Sequence, residues 1–432
     1  MASIWQETTQ LPTFPALSDN LQTDVLIIGG GMAGLLCAYK LQQAGIKYAL
    51  VEAKAIGSGI TKDTTAKLTA QHGLIYHKLL QKYGAETTWL YYAANRNALA
   101  QYRRLSRNID CDYSTEDHFV YATLSRKKLE QELAALQQIN VPVQLMEKTG
   151  LPFLTAGALR FSDQAQFHPL KFLAAITKGL HIYEHTPVRE LADHVATTDH
   201  GTINAQKIIV ATHFPMLNKH GSYFLKQYQH RSYCLALENA APVHGMHVDE
   251  SKTGLSFRMY GDLLILGGGG HRTGKKGDGW AELEAFVKTH YPDANICCRW
   301  ATQDCMSLDG IPYIGQYSVR TPDLYVATGF NKWGMTAAMA ASDILTDLIC
   351  GRDNPYAKVF SPSRSILHPQ LAVNGFEAIT NLLSISKKRC PHMGCALKWN
   401  PQEQTWDCPC HGSRFEENGH LIDNPATNDL KS

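Results

Sequence analysis

The chain has no excess of either charge. Lys and Arg number 41 against 39 Asp and Glu, a formal net charge of +2 over 432 residues. A nucleic-acid binder carries a basic excess or stripe, so no nucleic acid is expected as a partner. No run of about 18 uninterrupted apolar residues occurs, and no membrane span is expected. Repeats of solenoid period and low-complexity tracts are also absent. The first residues, Met1 to Thr8, lack the basic start and apolar core of a secretion signal, so the chain is read as unexported and cytoplasmic. Charged residues at 19% and apolar ones at 44% exclude disorder as the main state. The length allows about two to four domains.

What is present is unevenly placed. Seven of the eleven cysteines are scattered from Cys37 to Cys350, and four fall between Cys390 and Cys410. In an unexported chain, such a cluster more often binds metal than forms a disulfide framework.

Residues 24–52 read as strand, helix, strand. Val25-Leu26-Ile27-Ile28 suits a strand buried on both faces, and Met32, Leu35, Leu36 and Tyr39 follow at helical spacing. Gly45 ends the helix before the strand Tyr48–Val51. Similar apolar runs stand at Ile208–Thr212 and Leu324–Thr328, the second leading into an apolar helix over 335–349. Residues 85–150 read as largely helical. Ser256–Tyr260 and Leu263–Leu266 alternate like antiparallel strands. Around Pro355–Pro369 the composition turns to Pro, Ser and Arg, the mark of a linker, and a short helix fits 373–383.

Gly29-Gly30-Gly31-Met32-Ala33-Gly34 fits the spacing G-x-G-x-x-G. The first glycine allows a tight turn, the second a close approach of pyrophosphate, and the third packing of helix on strand. Glu52, with Ala53 and Lys54 beside it, closes the next strand, where an acid accepts from ribose hydroxyls. Further on stand Thr61, Thr64-Thr65-Ala66-Lys67, Leu308–Gly315 and Gly329-Phe330-Asn331-Lys332-Trp333-Gly334-Met335-Thr336. Together these segments resemble FAD-dependent oxidoreductases of the D-amino-acid oxidase/glycine oxidase type over residues 22–352. The resemblance implies FAD and an α/β fold: a discontinuous Rossmann-like FAD domain with an α+β substrate domain containing an antiparallel sheet. FAD-binding parts are expected at about 20–80, 155–215 and 305–352, and the substrate domain at about 85–150 and 216–304. It also implies that Val188 contacts adenine, that Ala211 and Thr212 lie along the cofactor, and that Gly329–Thr336 aims a helix N-terminus at the flavin, favouring its anionic reduced form.

Cys390-Pro-His392 and Cys408-Pro-Cys-His411 each supply one thiol and one imidazole. Two of each would serve a structural zinc site. They also suit a Rieske [2Fe-2S] centre, where two Cys hold one iron and two His the other. Cys390–Cys395 and Trp406–Phe415 closely resemble the Rieske signature. That resemblance implies a disulfide between Cys395 and Cys410 and a cluster-directed hydrogen bond from Ser413. Phe415 stands where such proteins often carry Tyr, which predicts a somewhat lower potential. Only about 30 residues separate Phe360 from Cys390, too few for the strands that normally precede the first ligand loop. The expected organisation is an oxidoreductase region over 1–360, a linker with a short helix over 361–388, and a small β Rieske subdomain over 389–432. With so little core, its cluster loops are expected to pack on the FAD domain rather than swing on a tether.

The family places an Arg between Trp and Asp-Gly to clamp a substrate carboxylate. Here Trp300 and Asp309-Gly310 match, but the Arg position holds Asp304. An acid suits a cationic amine; alternatively Asp304 is solvated or pairs with Arg299. Lys67 lies in the segment that covers the flavin in this family, or on the surface. His271 and Arg272, after four glycines, either line the pocket or belong to a turn. His72 and His168 read as structural. The expected function is oxidation of an amine or amino-acid-like small molecule at FAD, with electrons passing between FAD and the cluster and an unidentified one-electron acceptor or donor. The alternative is a redox sensor or carrier without turnover.

Overall fold

A strand that is apolar on both sides needs a covering layer on each face. Leu21–Ile28 buries its last four residues and accordingly lies inside a sheet. Leu26 pairs in parallel with Ile208 on one side and Ala49 on the other. The sheet order is Tyr313–Ser318, Thr321–Thr328, Gly201–Val210, Leu21–Ile28, Tyr48–Val51, Ile182–Tyr183. Only the Tyr313–Ser318 edge of this path runs antiparallel. Helices Met32–Gln43 and Gly334–Ile349 share one core, through Leu35, Leu36, Ala338, Ala341 and Leu345. The computed structural model describes residues 2–217, 220–251 and 254–430.

A second sheet of nine strands has the order Asn295–Ser307, Gln227–Glu238, Leu263–Arg272, Ser256–Tyr260, Met246–Asp249, Ser114–Ala122, Gly157–Gln166, Lys67–Leu68, with Gln144–Met146 beside Gly157–Gln166. Its pairing is antiparallel except between Met246–Asp249 and Ser114–Ala122. The two helices expected in residues 85–150 are present, within Tyr76–Ser106 and as Lys127–Gln138, but the strands Ser114–Ala122 and Gln144–Met146 accompany them. One reading changes: Gly157–Gln166, expected with the FAD-binding part, pairs in this second sheet. The cause is the nine-residue strand Ser114–Ala122 laid against it, a long-range pairing that local periodicity does not show.

The last 35 or so residues form a four-stranded sheet, Lys398–Asn400, Thr405–Asp407, Arg414–Glu416 and Leu421–Asp423. Its core is small: the four clustered cysteines with Leu397, Phe415 and Ala426. Before it stands the helix Pro369–Leu383, fifteen residues long. The expected linker is therefore no free tether. Asn374 donates to Leu225 O (3.1 Å) and accepts from Arg272 (3.0 Å), and Asn381 O accepts from Ala396 N–H (2.9 Å). The helix packs by its amides and leaves Val373, Phe376, Ile379 and Leu383 exposed.

So small a core leans on its neighbour. Gln303 donates to Gly412 O (2.9 Å) and Arg272 to Pro409 O (3.2 Å). Gly412 has φ +85, and a Cβ there would meet Gln229 Cγ at 2.4 Å, so the close seat requires glycine. Glu403 receives Arg231 of the large part (Nε to Oε1, 3.0 Å) and Arg414 of the small one (2.7 Å), all three side chains at most 10% exposed. Burial alone would raise the Glu403 carboxyl, but the two guanidiniums hold it at about 2, below its ordinary 4.5.

Glu403→Gln leaves two buried cations short of a partner and is expected to cost about 3 kcal/mol. Its measure is the melting temperature of the holoprotein at pH 7. Because the carboxyl is depressed in the folded state, its contribution is complete above about 4.5 and fades as pH falls toward 2. The difference between the two proteins should narrow over that window. An unchanged melting temperature at pH 7 would refute the clamp.

Candidate functional site

The glycine-rich turn links the first strand to the helix Met32–Gln43, and three of its glycines have separate jobs. A Cβ on Gly29 (φ +114) would meet Ala211 O at 2.6 Å, and one on Gly34 would meet Gly29 O at 1.9 Å. These two bring strand, turn and helix together. A Cβ on Gly31 would meet only Thr61 Oγ1, at 3.4 Å, so this is where the backbone lies open to a ligand. Thr61 accepts from Met32 N–H (3.0 Å), satisfying a free amide of the helix's first turn. Glu52 accepts from the N–H groups of Gly30 (2.6 Å) and Lys54 (2.9 Å), and burial raises its carboxyl while both donors oppose the shift.

A cavity of about 1150 Å³ opens from this turn. Gly29, Gly31, Met32, Ala33, Glu52, Ala53, Lys54, Thr61, Thr64, Thr65 and Lys67 line one side. Val188, Ala211, Thr212, Phe330, Asn331, Lys332, Trp333, Gly334 and Met335 line others. Four expected residues stand behind the lining instead: Gly34, Ala66, Gly329 and Thr336. Ala66 is held there because Arg258, fully enclosed, donates to Thr65 O (2.9 Å) and Ala66 O (3.0 Å). Thr336 bonds His72 (3.0 Å), whose ring stacks on Trp333. His72 also bonds Tyr91 (2.7 Å), and His168 caps the helix Pro169–Ile176, so both serve the frame.

Asp304, Lys67 and Lys332 all face the cavity. Asp304 lies on Asn295–Ser307, opposite His230. Burial raises its carboxyl, and Lys332, His213 and Arg231 oppose that in turn. The alternative partner Arg299 turns to Glu284 and to the ring of Trp280. The surface of Lys332 belongs to the cavity wall, and its ammonium donates to Ser232 Oγ (3.1 Å). Lys67 is pushed down to about 7, mainly by burial and next by Arg258. It bonds Thr65 (3.3 Å) and Ser256 (3.4 Å). His271 departs from expectation. It lies outside the lining because its ring is held by the Tyr233 hydroxyl (2.9 Å) and packed on by Gly277. Asp309, from the Asp-Gly pair, is taken up by Arg364 (2.8 and 2.9 Å) and Tyr83 (2.9 Å).

The metal-ligand candidates lie at the tips of two loops that are tied together. Cys395 and Cys410 form a disulfide. Cys390 and Cys408 are free thiols and both buried, and the Cys408 N–H donates to Ser413 O (2.9 Å). His392 Nδ1 and His411 Nδ1 lie 3.2 Å apart. Two thiols and two imidazoles thus stand on two loops tied together by the disulfide, and they are the donor set of a Rieske centre. Both imidazoles face the large part. Phe214 meets His392 and His411 edge-on at 6.5 and 6.0 Å, and Phe224 meets His411 at 6.3 Å. Phe214 follows His213, which lines the cavity and bonds Gln229 (2.9 Å). The cluster loops are docked, as expected. The contacts themselves, Phe214, Phe224, Gln229, Arg231 and Gln303, carry no motif that would have marked them.

Residues 24–348 match the FAD dependent oxidoreductase family, and residues 372–432 match the Rieske [2Fe-2S] domain. The chain belongs to the FAD-dependent oxidoreductase family and ends in a Rieske domain. Its cofactors are FAD and a [2Fe-2S] cluster, and it is an oxidoreductase. It is 33% identical to YhfW of Bacillus subtilis (strain 168), which bears a Rieske 2Fe-2S iron-sulfur name, over 99% of this chain and 96% of that one. It is 23% identical to gamma-glutamylputrescine oxidoreductase of Escherichia coli (strain K12), over 78% and 86%. Its fold is similar to glycine oxidase from Geobacillus kaustophilus, with a TM-score of 0.68 at 20% identity, covering 80% of this chain and 100% of that one. No helix among the described residues is long and apolar enough to cross a membrane.

A hydroxyl aimed at a ligand sulfur favours the reduced, more negative cluster. Ser413→Ala should therefore lower the cluster's midpoint potential, by on the order of 60 mV. Redox titration followed by EPR measures it, and an unchanged potential would remove Ser413 from that role.

Proposed function

We propose that the chain oxidises a carbon–nitrogen bond of an amine or amino-acid-like substrate and passes the electrons, through its Rieske centre, to a one-electron acceptor. The observation that carries this reading is a single one. One cavity runs from the dinucleotide turn to Asp304, and the residue pair His213-Phe214 joins that cavity to the cluster histidines. In this reading Gly29, Gly31, Met32, Ala33, Glu52, Val188, Ala211, Thr212 and the Phe330–Met335 turn hold FAD. Cys390, His392, Cys408 and His411 hold the cluster. Bound FAD supplies a two-electron acceptor, and the cluster a one-electron carrier.

The protein's own groups do the rest. An ammonium R₂CH–NH₃⁺ that becomes R₂C=NH₂⁺ gives up two electrons and two protons. Asp304 pairs with the cationic nitrogen and fixes its place. Lys332, across from it, meets a carboxylate where the substrate has one, which admits zwitterions although the family's Arg is missing. Lys67 is half-deprotonated near pH 7 and takes up a proton. The gamma-glutamylputrescine oxidoreductase relative supports an amine. The charged groups Asp304, Lys67 and Lys332, set in a mainly apolar cavity wall, support turnover over a purely sensing role.

An anaerobic screen of amines and amino acids, following flavin bleaching and the cluster's EPR signal together, tests the proposal. A substrate should bleach the flavin and reduce the cluster, and Asp304→Asn should lower kcat/KM about tenfold to a hundredfold. Because only the neutral form of Lys67 accepts a proton, kcat/KM should rise with pH through about 7 and level off above it. Lys67→Met should remove that limb. Flavin bleaching with a cluster that stays oxidised would overturn the transfer step, and a pH profile shared by both proteins would remove Lys67.

A further inference from the structure

The Rieske part does more than sit beside the cavity. Leu421, Ile422, Asp423, Asn424, Ala426 and Thr427 line the same space as Glu52, Lys54 and Val188. That end is set by the dinucleotide turn: the acid closing the second strand stands at the ribose, so the adenosine half lies beneath these residues. Three side chains hold the segment down on the oxidoreductase part. Lys54 donates to Ile422 O (3.1 Å), Arg189 to Thr427 O (2.9 Å), and Asn424 to Phe214 O (2.9 Å) as well as to Thr212 O. Its inner edge is tied to the cluster. The Ala426 N–H donates to Ser413 Oγ (3.0 Å), and the carbonyl of that same serine accepts from the N–H of the ligand Cys408 (2.9 Å).

We propose that the segment Leu421–Asp429 is a wall of the FAD site, closing it over the adenosine half, and that the assembled cluster keeps this wall shut. This rests on the reading that the cavity holds FAD. A dinucleotide enclosed in this way leaves only when the segment lifts, and the segment lifts freely only when the loops carrying Cys390 and Cys408 are no longer pinned by metal. Retention of one cofactor is thereby linked to the integrity of the other, with no chemistry between them.

The test measures release of FAD from the purified holoprotein, as recovery of free-flavin fluorescence after dilution, with iron content followed in parallel. Asn424→Asp has nearly the same shape but accepts where two carbonyls need a donor. Arg189→Ala removes the bond from the opposite side and leaves the Rieske sequence intact. Each should speed release about tenfold or more with iron retained. Removing the cluster from the wild type with a chelator under reducing anaerobic conditions should speed it similarly, and should add little in Asn424→Asp. If Asn424→Asp loses iron, Arg189→Ala and the chelated wild type decide. FAD that leaves both variants and the chelated protein at the wild-type rate would overturn the wall while leaving the FAD site in place. A purified protein that carries no FAD would overturn the reading beneath it.

Discussion

The carboxylate of Glu403, held between the guanidiniums of Arg231 and Arg414, is the contact on which the two redox parts depend for a shared position. A four-stranded sheet with a handful of buried apolar residues has little stability of its own. Charges buried at its border are costly unless each finds its partner in the right geometry. Glu403 and Arg414 belong to the small sheet and Arg231 to the nine-stranded one, so the buried Arg231 gains its acid only when the parts are docked. Gly412, Pro409 and Asn424 then make close backbone contacts that a loose tether would not maintain.

That position is what makes the chain one device rather than two. The imidazole side of the cluster loops, which in an isolated Rieske domain would face outward, is turned onto Phe214 and Phe224. One residue before Phe214, His213 belongs to the cavity. In the proposed reading the route from the cavity to the cluster loops runs through His213 and Phe214 and needs no moving arm. The helix Pro369–Leu383 serves the same end by packing through Asn374 and Asn381, so the stretch that composition marks as a linker is a fixed strut.

The cavity shows how burial divides the work among its charged groups. Lys67 and Arg258 are enclosed together, and the one that can give up its proton near neutrality is the lysine, because a guanidinium holds its proton far more firmly. Arg258 accordingly gives its donors to three backbone carbonyls, of Met259, Thr65 and Ala66, and shapes the loop that carries Lys67. Asp304 and Lys332 both line the space, and the lysine opposes the rise that burial forces on the carboxyl of Asp304.

The sequence alone determined whatever depends on local spacing. The turn Gly29–Gly34 is legible because each glycine answers to a steric demand within a few residues, and Glu52 because one strand–helix–strand unit brings it back to that turn. Cys390, His392, Cys408 and His411 are legible because two short loops carry the whole donor set. The same locality fixed the strands Leu21–Ile28 and Tyr48–Val51. Only the tertiary structure decided what depends on contacts between distant segments. It moved His271 out of the cavity onto Tyr233, and paired Ser114–Ala122 with Gly157–Gln166. It sent Arg299 to Glu284 rather than Asp304, and set Phe214 against two histidines nearly two hundred residues away. The physical reason is the same in each case: a side chain's partner is chosen by the energy of burying it well, and that energy is defined only when the sheets have come together.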